Sequence, residues 1–204
     1  MQIKKTCFFI KNKNLILETI WQQVTDNTKI VAIICHPHPL KEGTMHNKVV
    51  FTIASAFNEI NIDTIRFNYR GVGKSTGEYG NMIGEINDLL SILKWIKTKN
   101  YNKIILAGFS FGAYIALKTA IEQQISTVLC VAPAVDIAPY IQIKQLPKNL
   151  CIIHGKNDEI ASYQATFNWL NYYNNNNVKF LSIEAGHFFH HKLVRLKQLI
   201  MSNY

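Results

Sequence analysis

A serine flanked by glycines stands at the centre of Gly108-Phe109-Ser110-Phe111-Gly112. The pentad fits G-x-S-x-G, follows a strand-like apolar run at 103–107 and precedes a helical run at 113–121. A strand-to-helix turn of this kind lifts a serine hydroxyl above the edge of a sheet and leaves no room for bulk on either side. The helix N-terminus behind it favours negative charge developing beside that hydroxyl. The competing reading is a glycine-rich connection with an incidental serine; the strand and helix on its two sides argue against it.

A serine hydroxyl is a weak nucleophile and needs a base. His187 follows the last strand-like run, in Ala185-Gly186-His187, and Asp158 follows the preceding one, in His154-Gly155-Lys156-Asn157-Asp158. Serine, aspartate and histidine thus come in that chain order, each just past the C-terminal end of a strand, where open parallel sheets collect reactive groups. The chemistry expected is acyl transfer to water. Ser110 attacks, His187 takes and returns the proton, and Asp158 fixes the imidazole tautomer. Asp136, after the run 127–131, is a rival acid. His190 and His191 are rival bases, expected inside the closing helix and turned away from Ser110. The plainer roles are helix caps, Asp158 for a helix near Ala161 and His187 for the last one.

A tetrahedral intermediate also needs N–H donors for its oxyanion. One is expected from Phe111, the residue after the serine. The other is expected from the loop His36-Pro37-His38-Pro39-Leu40. Proline has no N–H, which leaves His38 as first choice and Leu40 as second.

These residues need a scaffold, and the chain reads as alternating strands and helices. Residues 3–10 and 15–21 read as a leading hairpin closed near 12–14. The run 30–35 is apolar and β-branched, as in a strand covered on both faces. Asn47 can cap a helix over 47–59. A strand at 63–67 leads into a glycine-rich loop at 70–80, and 83–98 has the apolar spacing of an amphipathic helix. Further strands are expected at 103–107, 127–131, 150–153 and 178–183, with helices at 162–173 and 188–201. Repeated β-then-α order predicts an α/β fold, a mainly parallel sheet flanked by helices on both faces, as a single domain over 1–204. The four-asparagine run at 174–177 reads as a loop.

The motifs resemble those of a group of small bacterial α/β-hydrolases related to dienelactone hydrolases and to esterase- and peptidase-like enzymes. The similar segments are Cys35-His36-Pro37-His38-Pro39-Leu40, Gly43-Thr44-Met45 with Asn47-Lys48-Val49-Val50, the stretch Arg66 to Ser75, Gly108 to Ala113, and Gly186-His187-Phe188-Phe189. They span roughly 30–195. Lys41-Glu42 departs from the group, which more often carries an aromatic and a glycine there. The resemblance implies an α/β-hydrolase fold with the trio Ser110, Asp158 and His187. It names a class of chemistry rather than a substrate.

Two other patterns are set aside. Gly71-Val72-Gly73-Lys74-Ser75 would need a glycine at Asn68 and a helix straight after Ser75 to make a phosphate loop. His36, His38, His187, His190 and His191 form no pair with metal-ligand spacing on one helix. No cofactor and no metal are expected. The segment 134–146 is too short for a helical lid, so an open, shallow site is expected, with Ile137, Tyr140, Ile141 and Ile143 as a low apolar wall.

Composition bounds the rest. The chain has 204 residues, 48% hydrophobic and 17% charged, an ordinary globular balance. The net charge of +9 is spread along the chain with no basic run, so a nucleic-acid partner is not expected. Phe8, Phe9, Phe188 and Phe189 are read as core or pocket wall rather than a stacking platform. Cys7, Cys35, Cys130 and Cys151 form no CxxC pair and are read as buried free thiols. No leader or membrane-spanning run is seen, which predicts a cytoplasmic protein without membrane association, a monomer or homodimer acting on a small-molecule acyl substrate. The reading as a carboxylesterase competes with thioester hydrolysis, acyl transfer or peptide cleavage on the same trio, and with a non-catalytic binding protein.

Overall fold

The computed structural model describes residues 3–24, 28–173 and 178–204. The run 174–177 therefore lies outside the described residues. Eight strands form one sheet: β1 (Lys4–Asn12), β2 (Leu15–Gln23), β3 (Ile30–Cys35), β4 (Asp63–Phe67), β5 (Lys103–Phe109), β6 (Thr127–Val131), β7 (Asn149–Gly155) and β8 (Lys179–Ile183). Their spatial order is β1-β2-β4-β3-β5-β6-β7-β8. The β1–β2 and β2–β4 pairings are antiparallel and the others parallel. The helices are α1 (Lys48–Glu59), α2 (Ile83–Ile96), α3 (Phe111–Glu122), α4 (Tyr163–Asn171) and α5 (Leu193–Met201).

Helices cover both faces, and the strand alternation shows it. Val31, Ile33 and Cys35 of β3 pack on the side of α2 and α3, whereas Ala32 and Ile34 pack on the side of α1 and α5. A strand buried on both faces has no polar alternation, which is why β3 reads as one apolar run. Asn47 caps α1, its Oδ1 accepting from the N–H groups of Val49 and Val50.

Several expectations are corrected. The closing helix begins at Leu193, not at 188. Residues 188–192 form turns instead, with Phe189 and His191 at positive φ of 52° and 60°. His190 and His191 therefore stand outside the helix, on the surface. Cys7 is exposed. It lies on the edge strand β1, where Cys7 and Phe9 face outward and Phe8 packs against Trp95. Of the four residues expected to form a wall, Tyr140 and Ile143 turn into the core, and Ile137 and Ile141 remain exposed. Between β6 and β7 the chain carries no lid, only a 3-10 turn at Tyr140–Gln142. The glycine-rich loop after β4 is a strap, not a phosphate cradle. Ser75 Oγ accepts from the Glu18 N–H and donates to the Asn68 carbonyl, tying the loop to β2.

Candidate active site

Ser110 stands between the end of β5 and the start of α3, at φ 56° and ψ −117°. A non-glycine residue there is strained, and such strain persists only where the surroundings impose it. Here they do. A Cβ on Gly108 would lie 2.1 Å from the Gly112 carbonyl oxygen, and one on Gly112 would lie 2.3 Å from that of Cys35. Both glycines of the pentad are thus required by backbone crowding. The turn is held by the Ser110 N–H, which donates to the Val131 carbonyl at 2.9 Å. Ser110 is half-buried at the C-terminal edge of the sheet.

The trio anticipated from the sequence meets at that edge. His187 Nε2 lies 3.0 Å from Ser110 Oγ, and its Nδ1 lies 2.8 Å from Asp158 Oδ2. His187 is buried between the rings of Phe109 and Phe188. The Asp158 side chain is fully covered. Burial opposes its ionisation, but hydrogen bonds from His154, His187 and the Ala161 N–H outweigh that cost and hold its carboxyl well below the usual carboxylate range. Asp158 Oδ1 also accepts from Ile160 N–H, so the capping role and the contact to His187 coexist in one side chain. The rival Asp136 accepts instead from the Ser162 N–H at 3.3 Å.

His154 is a residue the sequence reading passed over. Its Nε2 lies 3.0 Å from the Ala161 carbonyl and 3.2 Å from Asp158 Oδ2. Both neighbours are acceptors, so Nε2 carries a proton and donates to them. Its spacing of four residues from Asp158 was the signal available.

The other side of Ser110 is the loop after β3. Phe111 opens α3, and its N–H has no acceptor within the helix. His38 lies against it, with the two rings 4.8 Å apart. Among the described residues the His38 N–H has no hydrogen-bond partner. The Leu40 N–H, by contrast, donates to His38 Nδ1 at 3.2 Å. Of the two donors considered, His38 is the one left free. Its imidazole Nε2 meets the Tyr79 hydroxyl at 3.3 Å.

The sequence model of the family described as serine aminopeptidase, S33 matches residues 40–150. The chain belongs to this family, within the α/β-hydrolase superfamily. Among solved structures, an α/β serine hydrolase homologue from Coxiella burnetii is 38% identical, with a TM-score of 0.91 over 97% of this chain and 96% of that one. The protein XC6422 from Xanthomonas campestris, an α/β serine hydrolase without a lid, is 30% identical, with a TM-score of 0.90 over 98% of this chain and 93% of that one. An uncharacterized protein of Rickettsia prowazekii is 34% identical over 152 residues, which are 72% of this chain but 64% of that relative's length. No helix among the described residues is long and apolar enough to cross a membrane.

Proposed function

We propose that this chain is a serine hydrolase that cleaves a carboxylic ester, or a related acyl bond, of a small substrate through an acyl-enzyme on Ser110. The observation that carries the reading is the hydrogen-bonded chain from Ser110 Oγ through His187 to Asp158, with spacings of 3.0 and 2.8 Å. In the proposed sequence His187 Nε2 accepts the hydroxyl proton as Ser110 Oγ bonds to the acyl carbon. Asp158 accepts the Nδ1–H and stabilises the imidazolium. The N–H groups of Phe111 and His38 hold the oxyanion. Collapse of the tetrahedral species expels the alkoxide, which receives the proton from His187. A water then attacks the acyl carbon by the same route, releasing the acid and restoring the serine. These steps use only side chains, backbone and water.

The half-buried serine and the lack of a lid support small or flexible acyl groups over long lipid chains. The Xanthomonas relative is described as a serine hydrolase and the Coxiella one as a serine hydrolase homologue, which supports the reaction class. The family description names a peptidase, so aminoacyl p-nitroanilides belong beside the esters in any trial. The test is hydrolysis of p-nitrophenyl acetate and butyrate, with fluorophosphonate labelling mapped by mass spectrometry. We expect ester turnover, labelling at Ser110, and loss of both in Ser110→Ala. Ester turnover surviving in Ser110→Ala would overturn the assignment.

A further inference from the structure

The loop after β3 contains a second buried histidine that the proposed steps do not use. His36 has no exposed surface. Its Nε2 lies 3.1 Å from the Tyr69 N–H, which can only donate, so Nε2 is an acceptor and carries no proton. The ring proton is therefore on Nδ1, which lies 2.7 Å from the Pro37 carbonyl oxygen and donates to it. Burial keeps the ring neutral, pushing its pKa down to about 3 against the opposing pull of that carbonyl.

The Pro37 carbonyl and the His38 N–H are the two ends of one peptide unit. In a planar trans peptide they point in opposite directions, so fixing one aims the other. The next peptide unit is held as well, and a neighbouring glycine crowds the first. The His38 carbonyl accepts from the N–H groups of Lys41 and Gly43 at 3.0 and 3.1 Å. Gly43 is pressed so close that a Cβ there would lie 2.2 Å from the Pro37 oxygen. Tyr69, which anchors the far nitrogen of His36, is itself fully buried two residues past the end of β4. The tether thus runs from the sheet, through one imidazole, to one carbonyl.

We infer that His36 is a positioning residue for the oxyanion hole, holding the Pro37–His38 peptide plane so that the His38 N–H points at the developing oxyanion. The inference rests on the function proposed above and deepens it. His36 touches no reacting atom; it acts through the peptide.

Two substitutions separate the ends of the tether. In His36→Asn the side-chain amide can still donate to the Pro37 carbonyl, from about where Nδ1 stands. In His36→Gln the longer side chain offers its oxygen to the Tyr69 N–H and leaves the Pro37 carbonyl without its donor. The experiment measures kcat and KM on p-nitrophenyl butyrate, and affinity for a phenylboronic acid, which forms a tetrahedral adduct on the serine. His36→Gln should lose about 10- to 100-fold in kcat at unchanged KM, with a parallel loss of boronate affinity, while His36→Asn keeps most of both. A purely structural role would lower both variants alike, and that result, or a His36→Gln enzyme as fast as the wild type, overturns the inference. Should His36→Gln not fold, Gly43→Ala displaces the same carbonyl from the opposite side. It should show the same loss confined to kcat, and an unchanged kcat there overturns the inference equally. A wild-type chain that neither turns over the ester nor labels with a fluorophosphonate refutes the proposed function itself, and the role of His36 falls with it.

Discussion

The two flanks of Ser110 are both organised by buried histidines, yet they work in different ways. On the β7–β8 side the organising unit is ionic: a covered carboxylate, Asp158, accepts hydrogen bonds from His187 and His154. On the β3 side it is neutral: His36 donates to one carbonyl and accepts one N–H. The first flank aims a side chain that is to gain and lose a proton, so it needs a charge nearby to stabilise the imidazolium. The second aims a backbone dipole that never titrates, so a charge would add desolvation cost without benefit. The difference shows how one residue type serves two purposes according to whether its neighbours are an anion or a peptide.

The largest expected effect lies on the ionic flank. Asp158→Asn keeps the shape but removes the charge, and kcat should fall about 10^3- to 10^4-fold in steady-state ester hydrolysis. A loss of only a few-fold would mean that His187 does not depend on an anion, and the contrast between the flanks would collapse. His154→Ala sharpens the same point. It removes one donor to the Asp158 carboxylate, and should cost about 10-fold in kcat, the size of a single hydrogen bond to a charged group.

The flanks should also fail at different acidities. His36 has its folded pKa lowered to about 3, so the unfolded chain binds a proton more readily; stability is complete above the unfolded value near 6.5 and is lost as pH falls toward 3. Asp158 is also depressed, and its contribution is present above the unfolded value of about 4 and lost at lower pH. Urea unfolding across pH should therefore show His36→Asn with a slope shallower by about one proton near pH 5, and Asp158→Asn shallower only below about pH 4. Identical slopes for both variants would erase the distinction.

The smallest effect is expected at a site remote from both flanks. Cys7 on the edge strand should react with iodoacetamide in the native protein, and Cys7→Ser should shift stability by no more than about 0.5 kcal/mol. The other three thiols should stay unmodified, since burial pushes Cys35 up to about 12, Cys151 up to about 11 and Cys130 higher still.

What could be read in advance follows from the range of the forces involved. Ser110 was legible because the crowding that demands Gly108 and Gly112 leaves its mark within five residues. Asp158 and His187 were legible because strand ends recur at regular chain positions. The supporting histidines were not. His36 is anchored by the Tyr69 N–H, 33 positions away, and nothing local marks that pairing. His154 lay in view four residues before Asp158, but only the folded loop turns its Nε2 toward the carboxylate. The exposure of Cys7 depends on which side of an edge strand the helices leave bare. The start of the closing helix was misjudged because Phe188 and Phe189 look like its apolar face, whereas two backbone turns at positive φ intervene.

The contact of Gly112 with the carbonyls of Cys35 and His36 has a practical consequence. The bend that carries the serine is keyed into the strand end that carries the donor loop, as a tenon sits in its mortise. Neither piece can be reshaped alone, which leaves little room for retuning at the heart of the joint. Ile137 and Ile141, 65% and 86% exposed on the short crossing between β6 and β7, carry no such constraint. Substitutions at those two positions should be tolerated without disturbing the bend.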